Sequence, residues 1–299
     1  MILILRQLSV LYIFIIIGFF FGKLKKEQNG HTGILSFLLV NLFLPAKVFN
    51  TFSKNFTVEY ITENSKTAVI SLALLLLLVG FSLLVSRLVF KDKYDQKVCR
   101  YSLTLANYAY MGYALCESLF GTEGLTDLIL FCIPFAIYTY TFGYAMLTGK
   151  GKTYKKLLNP MTAAILLGIA VGLSEIDVPD IIVDVLSASS GCVAPLSMLL
   201  TGLTLSAFTM RELVADYKAY IVVAIRLIVI PALVYCACRL FALDSVIMPA
   251  VMMSCMPCGL NTIVFPKLVN EDCALGAKLA TLSHLFSLAT IPFWLSLLK

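Results

Sequence analysis

The 299 residues are 60% hydrophobic and only 13% charged, with a mean hydropathy of +0.92. A soluble domain is roughly 45–50% apolar and about 25% charged, so a water-soluble globule is excluded. The net charge of +6 does not point to nucleic acid, because the basic residues sit in short clusters between apolar runs, as membrane-flanking loops do.

In chain order, ten apolar segments emerge, each near the roughly 20 residues that cross a bilayer. They are 3–22, 33–52, 67–90, 99–120, 126–147, 158–174, 181–207, 217–240, 246–269 and 274–298. The first is followed by Lys23, Lys25 and Lys26 and by no small-residue cleavage site, so it reads as a span and not a cleaved leader. Connections are short, and no soluble domain or low-complexity tract remains. The nine cysteines lie mostly inside apolar runs, where a thiol behaves as a small hydrophobe. Cys255-Met-Pro-Cys258 has the spacing of a soft-metal pair, but no His-rich or Cys-rich segment accompanies it. It reads as packing, and no metal or cofactor is expected.

Charge fixes an expected orientation. Connections after odd-numbered spans carry fourteen Lys and Arg, against five on the other side. The positive-inside rule then places both termini outside the cytoplasm of a multi-pass cell-membrane protein. The chain also reads as duplicated: a shift of about 150 residues lays the second span on the seventh and Pro45 on Pro195. Residues 1–150 and 151–299 would each hold five spans. Five is odd, so the two repeats would have opposite orientations.

Two spans are poor helices at their middles. The fourth reads Leu105-Ala-Asn-Tyr-Ala-Tyr-Met-Gly-Tyr-Ala114, with Asn107, Tyr108 and Gly112. The ninth reads Met252-Met-Ser-Cys-Met-Pro-Cys-Gly-Leu-Asn-Thr262, with Pro257, Gly259 and Asn261. Pro257 removes a backbone donor and Gly259 tolerates non-helical dihedrals. Broken helices at matching places of two repeats mark a transport site, because their freed amides and carbonyls can hold a solute. The bland alternative is a kinked helix pair glued by interhelical Asn hydrogen bonds.

Few ionisable residues lie within spans, and such residues are expensive in lipid. Lys47 follows Pro45 and is a candidate contact for an anionic solute. Arg226 is about ten residues from either end of the eighth span, and as a structural residue it would pair with Glu117. His284 is a candidate proton relay or a hydrogen-bonded packing residue. No HExxH, GxSxG or P-loop and no paired intramembrane carboxylates appear, so no enzyme is expected. The basic interior set favours a small organic anion as the solute.

These segments resemble the auxin efflux carrier family over nearly the whole chain. The resemblance is carried by Leu39-Val-Asn-Leu-Phe-Leu-Pro-Ala-Lys-Val-Phe49, by Asn107, Gly112 and Phe120-Gly121, by Pro257, Asn261, Val264-Phe265 and Glu271-Asp272, and by Ile291-Pro292-Phe293. Ala114 stands where the family often has proline, so a proline marks only the ninth span. The resemblance implies an all-α membrane protein of ten helices in two inverted repeats, with the fold of bile acid symporters and sodium–proton antiporters. Spans 1, 2, 6 and 7 would be a scaffold, and spans 3–5 and 8–10 a mobile bundle whose fourth and ninth members cross at the site. It implies a permease for a dicarboxylate or an auxin-like acid, and a homodimer through the scaffold for some members. Coupling to sodium or protons is the alternative mechanism, and a sensor with the same fold is the alternative class.

Overall fold

The computed structural model describes residues 2–24, 30–149, 160–174, 176–209, 216–267, 269 and 271–298. Among these residues the regular structure is helical, apart from one isolated antiparallel bridge. The loop residues Lys25, Lys26, Lys150, Lys152, Lys155, Lys156 and Arg211, which carry much of the orientation argument, lie outside the described residues.

The chain begins with one uninterrupted apolar helix, α1 (Ile2–Leu24). α2 (Gly30–Leu38) runs through a π-helical turn (Leu39–Phe43) into α3 (Leu44–Asn55). Pro45 lies in the first turn of α3, and the wide π turn before it accommodates the missing donor. α4 (Val58–Val89) starts at Thr57, whose hydroxyl accepts from the Tyr60 amide at 3.2 Å. α5 (Lys93–Thr104) starts at Asp92, whose carboxylate accepts from the Tyr94 and Asp95 amides at 2.8 and 3.0 Å. A π turn (Tyr108–Gly112) opens α6 (Tyr113–Tyr138), and another (Thr139–Gly143) leads to α7 (Tyr144–Thr148). Within α6, Gly121 has φ 71°, a left-handed conformation that turns the chain between the predicted fourth and fifth spans. Then come α8 (Pro160–Ser174), α9 (Asp180–Ser206) and α10 (Tyr217–Ala224). A π turn (Ile225–Val229) joins α10 to α11 (Ile230–Leu240), followed by α12 (Asp244–Cys255), α13 (Asn261–Lys267) and α14 (Ala274–Ser296).

Seven helical stretches among the described residues are long and apolar enough to cross a bilayer: Ile2–Leu24, Gly33–Asn55, Lys66–Val89, Tyr108–Thr148, Asp180–Ser206, Tyr217–Leu240 and Ala274–Ser296. The difference from ten has local causes. The predicted fourth and fifth spans share the single stretch Tyr108–Thr148, the sixth is the 15-residue α8, and the ninth is divided between α12 and α13.

Two sets of helices pack closely within themselves. In the first, α1 lies along α9, and α3 lies along α8 and α9. The approach is close enough that a Cβ on Gly18 would sit 2.3 Å from the Leu199 oxygen, and one on Gly202 2.0 Å from the Ile15 oxygen. Likewise a Cβ on Gly172 would sit 2.7 Å from the oxygens of Phe52 and Phe56. Lipid removes the hydrophobic drive between helices, so small residues that let backbones touch supply the attraction. In the second set, α4 packs on α5 and α6, α12 on α6 and α11, and α14 on α10 and α12. On the outer faces of these sets, Phe20 on α1 and Leu76, Leu77, Leu84 and Leu88 on α4 are exposed, as an apolar, lipid-facing surface requires.

Candidate functional site

Both central helices break, and the breaks meet. α5 ends at Thr104, and Leu105 is extended at φ −116°, ψ 118°. α12 ends at Cys255, and Met256 is extended at φ −69°, ψ 149°. Ala106 and Cys258 then pair as a short antiparallel bridge, and the Asn107 amide donates to the Pro257 oxygen at 2.8 Å. Two interrupted backbones in an apolar interior have unpaired polar groups, and pairing them with each other satisfies part of that need. The Cys258 amide donates to the Ser283 hydroxyl at 3.0 Å. A Cβ on Gly259 would lie 3.4 Å from the Ala106 oxygen, at the closest point of the crossing. The fourth span therefore breaks although it has Ala114 and no proline: its break is held by the partner strand.

Arg226 holds the other side of the crossing. It is fully buried in the π turn after α10. Its Nη1 donates to the Leu103 oxygen at 3.1 Å, at the end of α5. Its Nε and Nη2 donate to the oxygens of Met256 and Met253, each at 3.2 Å, at the end of α12. Each helix C-terminus carries roughly half a negative charge, so two of them balance about one cation. The planar, forked guanidinium reaches carbonyls on both helices at once, which an ammonium cannot. The expected pairing of Arg226 with Glu117 does not occur. Glu117 instead bonds Lys47, because the crossing brings Arg226 to the carbonyl ends while α3 carries Lys47 to α6.

Lys47 is buried on α3, whereas the Glu117 side chain is 42% exposed. Their ion pair joins the two packed sets of helices. It also engages the Lys47 ammonium, which is absent from the cavity walls.

That cavity, a small one of about 30 Å³, lies at the crossing. Asn107, Tyr108, Gly259 and Asn261 line it, and Gly112 packs behind it, where its Cβ would be 3.3 Å from Met256. Pro257 contributes its carbonyl to the crossing, through the bond from Asn107, and is not among the cavity-lining residues. Tyr101, Tyr110, Thr139 and Tyr140 complete the polar wall. Asn261 Nδ2 donates to the Tyr101 hydroxyl at 3.0 Å, tying α13 to α5. Tyr108 and Thr139 hydroxyls lie 3.5 Å apart. His284 on α14 is buried, with Nδ1 2.7 Å from the Ala280 oxygen and Nε2 3.1 Å from Asn107 Nδ2. The Tyr12 hydroxyl, from α1, donates to the His284 oxygen and lies 2.6 Å from the Ser287 hydroxyl. The polar part of the wall is thus amides, phenols and the Thr139 hydroxyl, set among apolar Leu44, Leu105 and Leu260, with no cation lining it among the described residues. Apart from Tyr108, the tyrosines were not singled out in the sequence, although Tyr108-x-Tyr110-x-x-Tyr113 and Tyr138-x-Tyr140-x-x-x-Tyr144 are dense for apolar spans.

Comparison with known proteins gives this geometry a context. A family described as membrane transport protein matches residues 3–157 and 152–295. A transporter of Methanocaldococcus jannaschii, itself named uncharacterized, is 28% identical over 300 residues, covering 95% of this chain and 96% of that protein.

Proposed function

Since the chain belongs to the membrane transport protein family, that of the auxin efflux carriers, we propose that it carries a small organic anion across the cell membrane by alternating access. The observation that carries this reading is the crossing of two interrupted helices beside a polar cavity. Interrupted helices that cross near mid-chain of each half are how alternating-access carriers build a solute site within lipid. The helix order supports ten spans in two inverted repeats: Gly121 serves as the turn between the fourth and fifth, and α12–α13 together form the ninth. The two packed sets support an elevator motion, in which α4–α7 and α10–α14 slide against α1–α3, α8 and α9. The Lys47–Glu117 pair spans that seam and must open as the sets slide.

The solute is a monocarboxylate or dicarboxylate, held by neutral donors and not by the two buried cations. The hydroxyls of Tyr110 and Tyr140 and the first-turn amides of the helix beginning at Tyr108 are the donors, and a helix N-terminus favours an anion. The phenol rings offer an apolar wall for a planar acid. Asn107→Ala and Asn261→Ala test the site. Each variant should lose transport while melting near the native temperature. Full transport in both variants, or loss of stability with normal activity in the surviving protein, would remove the crossing from the solute path.

A further inference from the structure

The hydrogen bonds around His284 fix its protons and through them the face that Asn107 shows to the cavity. The Ala280 oxygen can only accept, so the Nδ1 atom 2.7 Å away carries a proton. In the neutral ring Nε2 is then an acceptor, and Asn107 Nδ2 donates to it at 3.1 Å. That leaves Asn107 Oδ1, for which no partner exists among the described residues, on an amide that lines the cavity. Asn261 is engaged in the same sense: its Nδ2 donates to Tyr101 and its Oδ1 has no partner among the described residues. With His284 neutral, each amide has at the cavity an oxygen with no partner among the described residues, the wrong polarity for a carboxylate.

We propose that His284 is a proton-binding site that couples proton movement to anion movement through the orientation of the Asn107 amide. A proton arriving from water binds Nε2. The ring then donates from both nitrogens, and Nε2–H cannot face an NH₂ group. The amide turns over, its Oδ1 accepts from Nε2–H, and its Nδ2 now donates into the cavity. A carboxylate gains a donor where it had met an oxygen. The proton leaves by the reverse steps when the anion is released on the other side, and no bond of the solute changes.

Charge makes the two bindings mutually dependent. A lone imidazolium or a lone carboxylate in this buried place is strongly disfavoured. For a monocarboxylate the empty state and the doubly loaded state are both neutral at the site, and for a dicarboxylate the proton halves the bound charge, so an anion bound without the proton is penalised and the two ions travel together. The groups on neighbouring elements leave this balance to His284. Tyr12 from α1 bonds the His284 carbonyl, not the ring. Arg226, on the π turn after α10, is held by three carbonyls. α5 brings Cys99, a buried thiol, and Tyr101, which accepts from Asn261, and α12 and the break after it bring Cys255, which donates to the Met252 oxygen, and Cys258, a buried thiol. α10 carries Tyr217, Lys218 and Tyr220, and on α14 itself Lys278 pairs with Asp216 at 3.2 Å. α13 offers no titratable group among the described side chains. None of these groups bonds the imidazole.

This inference rests on the carrier reading, and two measurements separate their fates. Native protein is placed in liposomes holding a pH dye, with the membrane potential clamped, and given labelled malonate or indole-3-acetate against protein-free controls. Anion entry should acidify the lumen, and lowering the outside pH by one unit should speed entry about tenfold. Anion entry without acidification overturns the coupling and leaves the carrier reading standing. Failure of both probes to move at any pH removes the carrier reading, and the coupling with it. The second measurement needs no transport. His31→Ala leaves His284 as the single histidine of two, and its ring nitrogens can be titrated by 15N NMR. The ring should be the Nδ1–H tautomer, and saturating malonate should raise its protonation midpoint by more than about one pH unit, because a tenfold response within a single unit needs the free and loaded midpoints to lie at least that far apart. An Nε2–H tautomer, or a midpoint indifferent to a probe that the liposomes show to be carried, overturns the proposal.

Discussion

Replacing Arg226 by leucine isolates the device that ties the two broken helices together. The substitution removes three donors at 3.1–3.2 Å and orphans the oxygens of Leu103, Met253 and Met256 in the protein interior. Each buried, unsatisfied acceptor costs about 1–3 kcal/mol, giving roughly 3–9 kcal/mol for three. Relief from burying a cation offsets part of this, and breaking buried charge contacts by removing one partner nets about 3–5 kcal/mol. That is a large share of the roughly 5–15 kcal/mol by which a folded protein is stable. Arg226→Leu should therefore melt far below the native protein in detergent, as followed by the loss of the monodisperse peak after heating. Arg226→Lys keeps the charge but reaches fewer of the three oxygens, and should fall between the two. An Arg226→Leu protein that melts like the native one would refute the double-cap reasoning. So would an Arg226→Lys variant no better than leucine.

The Lys47–Glu117 pair should respond unequally to its two halves, because Lys47 is buried and Glu117 is 42% exposed. Glu117→Ala strands a buried ammonium and should lower stability by roughly 1–3 kcal/mol, whereas Lys47→Met leaves a carboxylate that water can reach and should change it by less than about 1 kcal/mol; thermal melts of both variants decide, and equal effects would contradict the burial argument. Gly202→Ala puts a Cβ 2.0 Å from the Ile15 oxygen and 2.6 Å from the Phe19 nitrogen, so α1 and α9 must part at a cost of about 1–3 kcal/mol. Gly191→Ala, with nothing within 4 Å of the added Cβ, should be neutral or gain up to about 1 kcal/mol, and the same melting assay distinguishes them. For orientation, in a background free of the nine native cysteines, Glu123→Cys should react with an impermeant maleimide added outside intact cells and Lys152→Cys should not. The opposite pattern would invert the topology.

Much of the crossing was legible because lipid punishes unpaired backbone. Pro257, Gly259 and the two asparagines stand out in segments that are otherwise apolar, and they do lie at the breaks. The break of the fourth span at Leu105–Asn107 was less legible, since Ala114 replaces the expected proline and the interruption is held by Cys258 and Pro257 across the crossing. Arg226 was visible as a buried charge, but its partners were not. They are backbone oxygens, which no side-chain pattern announces, and they lie 123, 27 and 30 residues away in sequence. Glu117, the carboxylate the sequence offered it, goes to Lys47 because α3 and α6 meet. Tyr108 was singled out, but the rest of the tyrosine wall was missed because aromatic residues are ordinary in membrane helices, and only the fold gathers Tyr101, Tyr110 and Tyr140 beside it at one cavity.

Anion flux through the purified protein bears most directly on the central proposal. Native protein in sealed liposomes would be preloaded with unlabelled malonate or indole-3-acetate, and entry of the labelled acid followed. The account expects saturable entry that is accelerated by the unlabelled acid inside, as a carrier with one alternating site gives, and that is lost in Asn107→Ala and Asn261→Ala. Entry of only cations or sugars, or of no solute beyond the rate of protein-free liposomes, would contradict it.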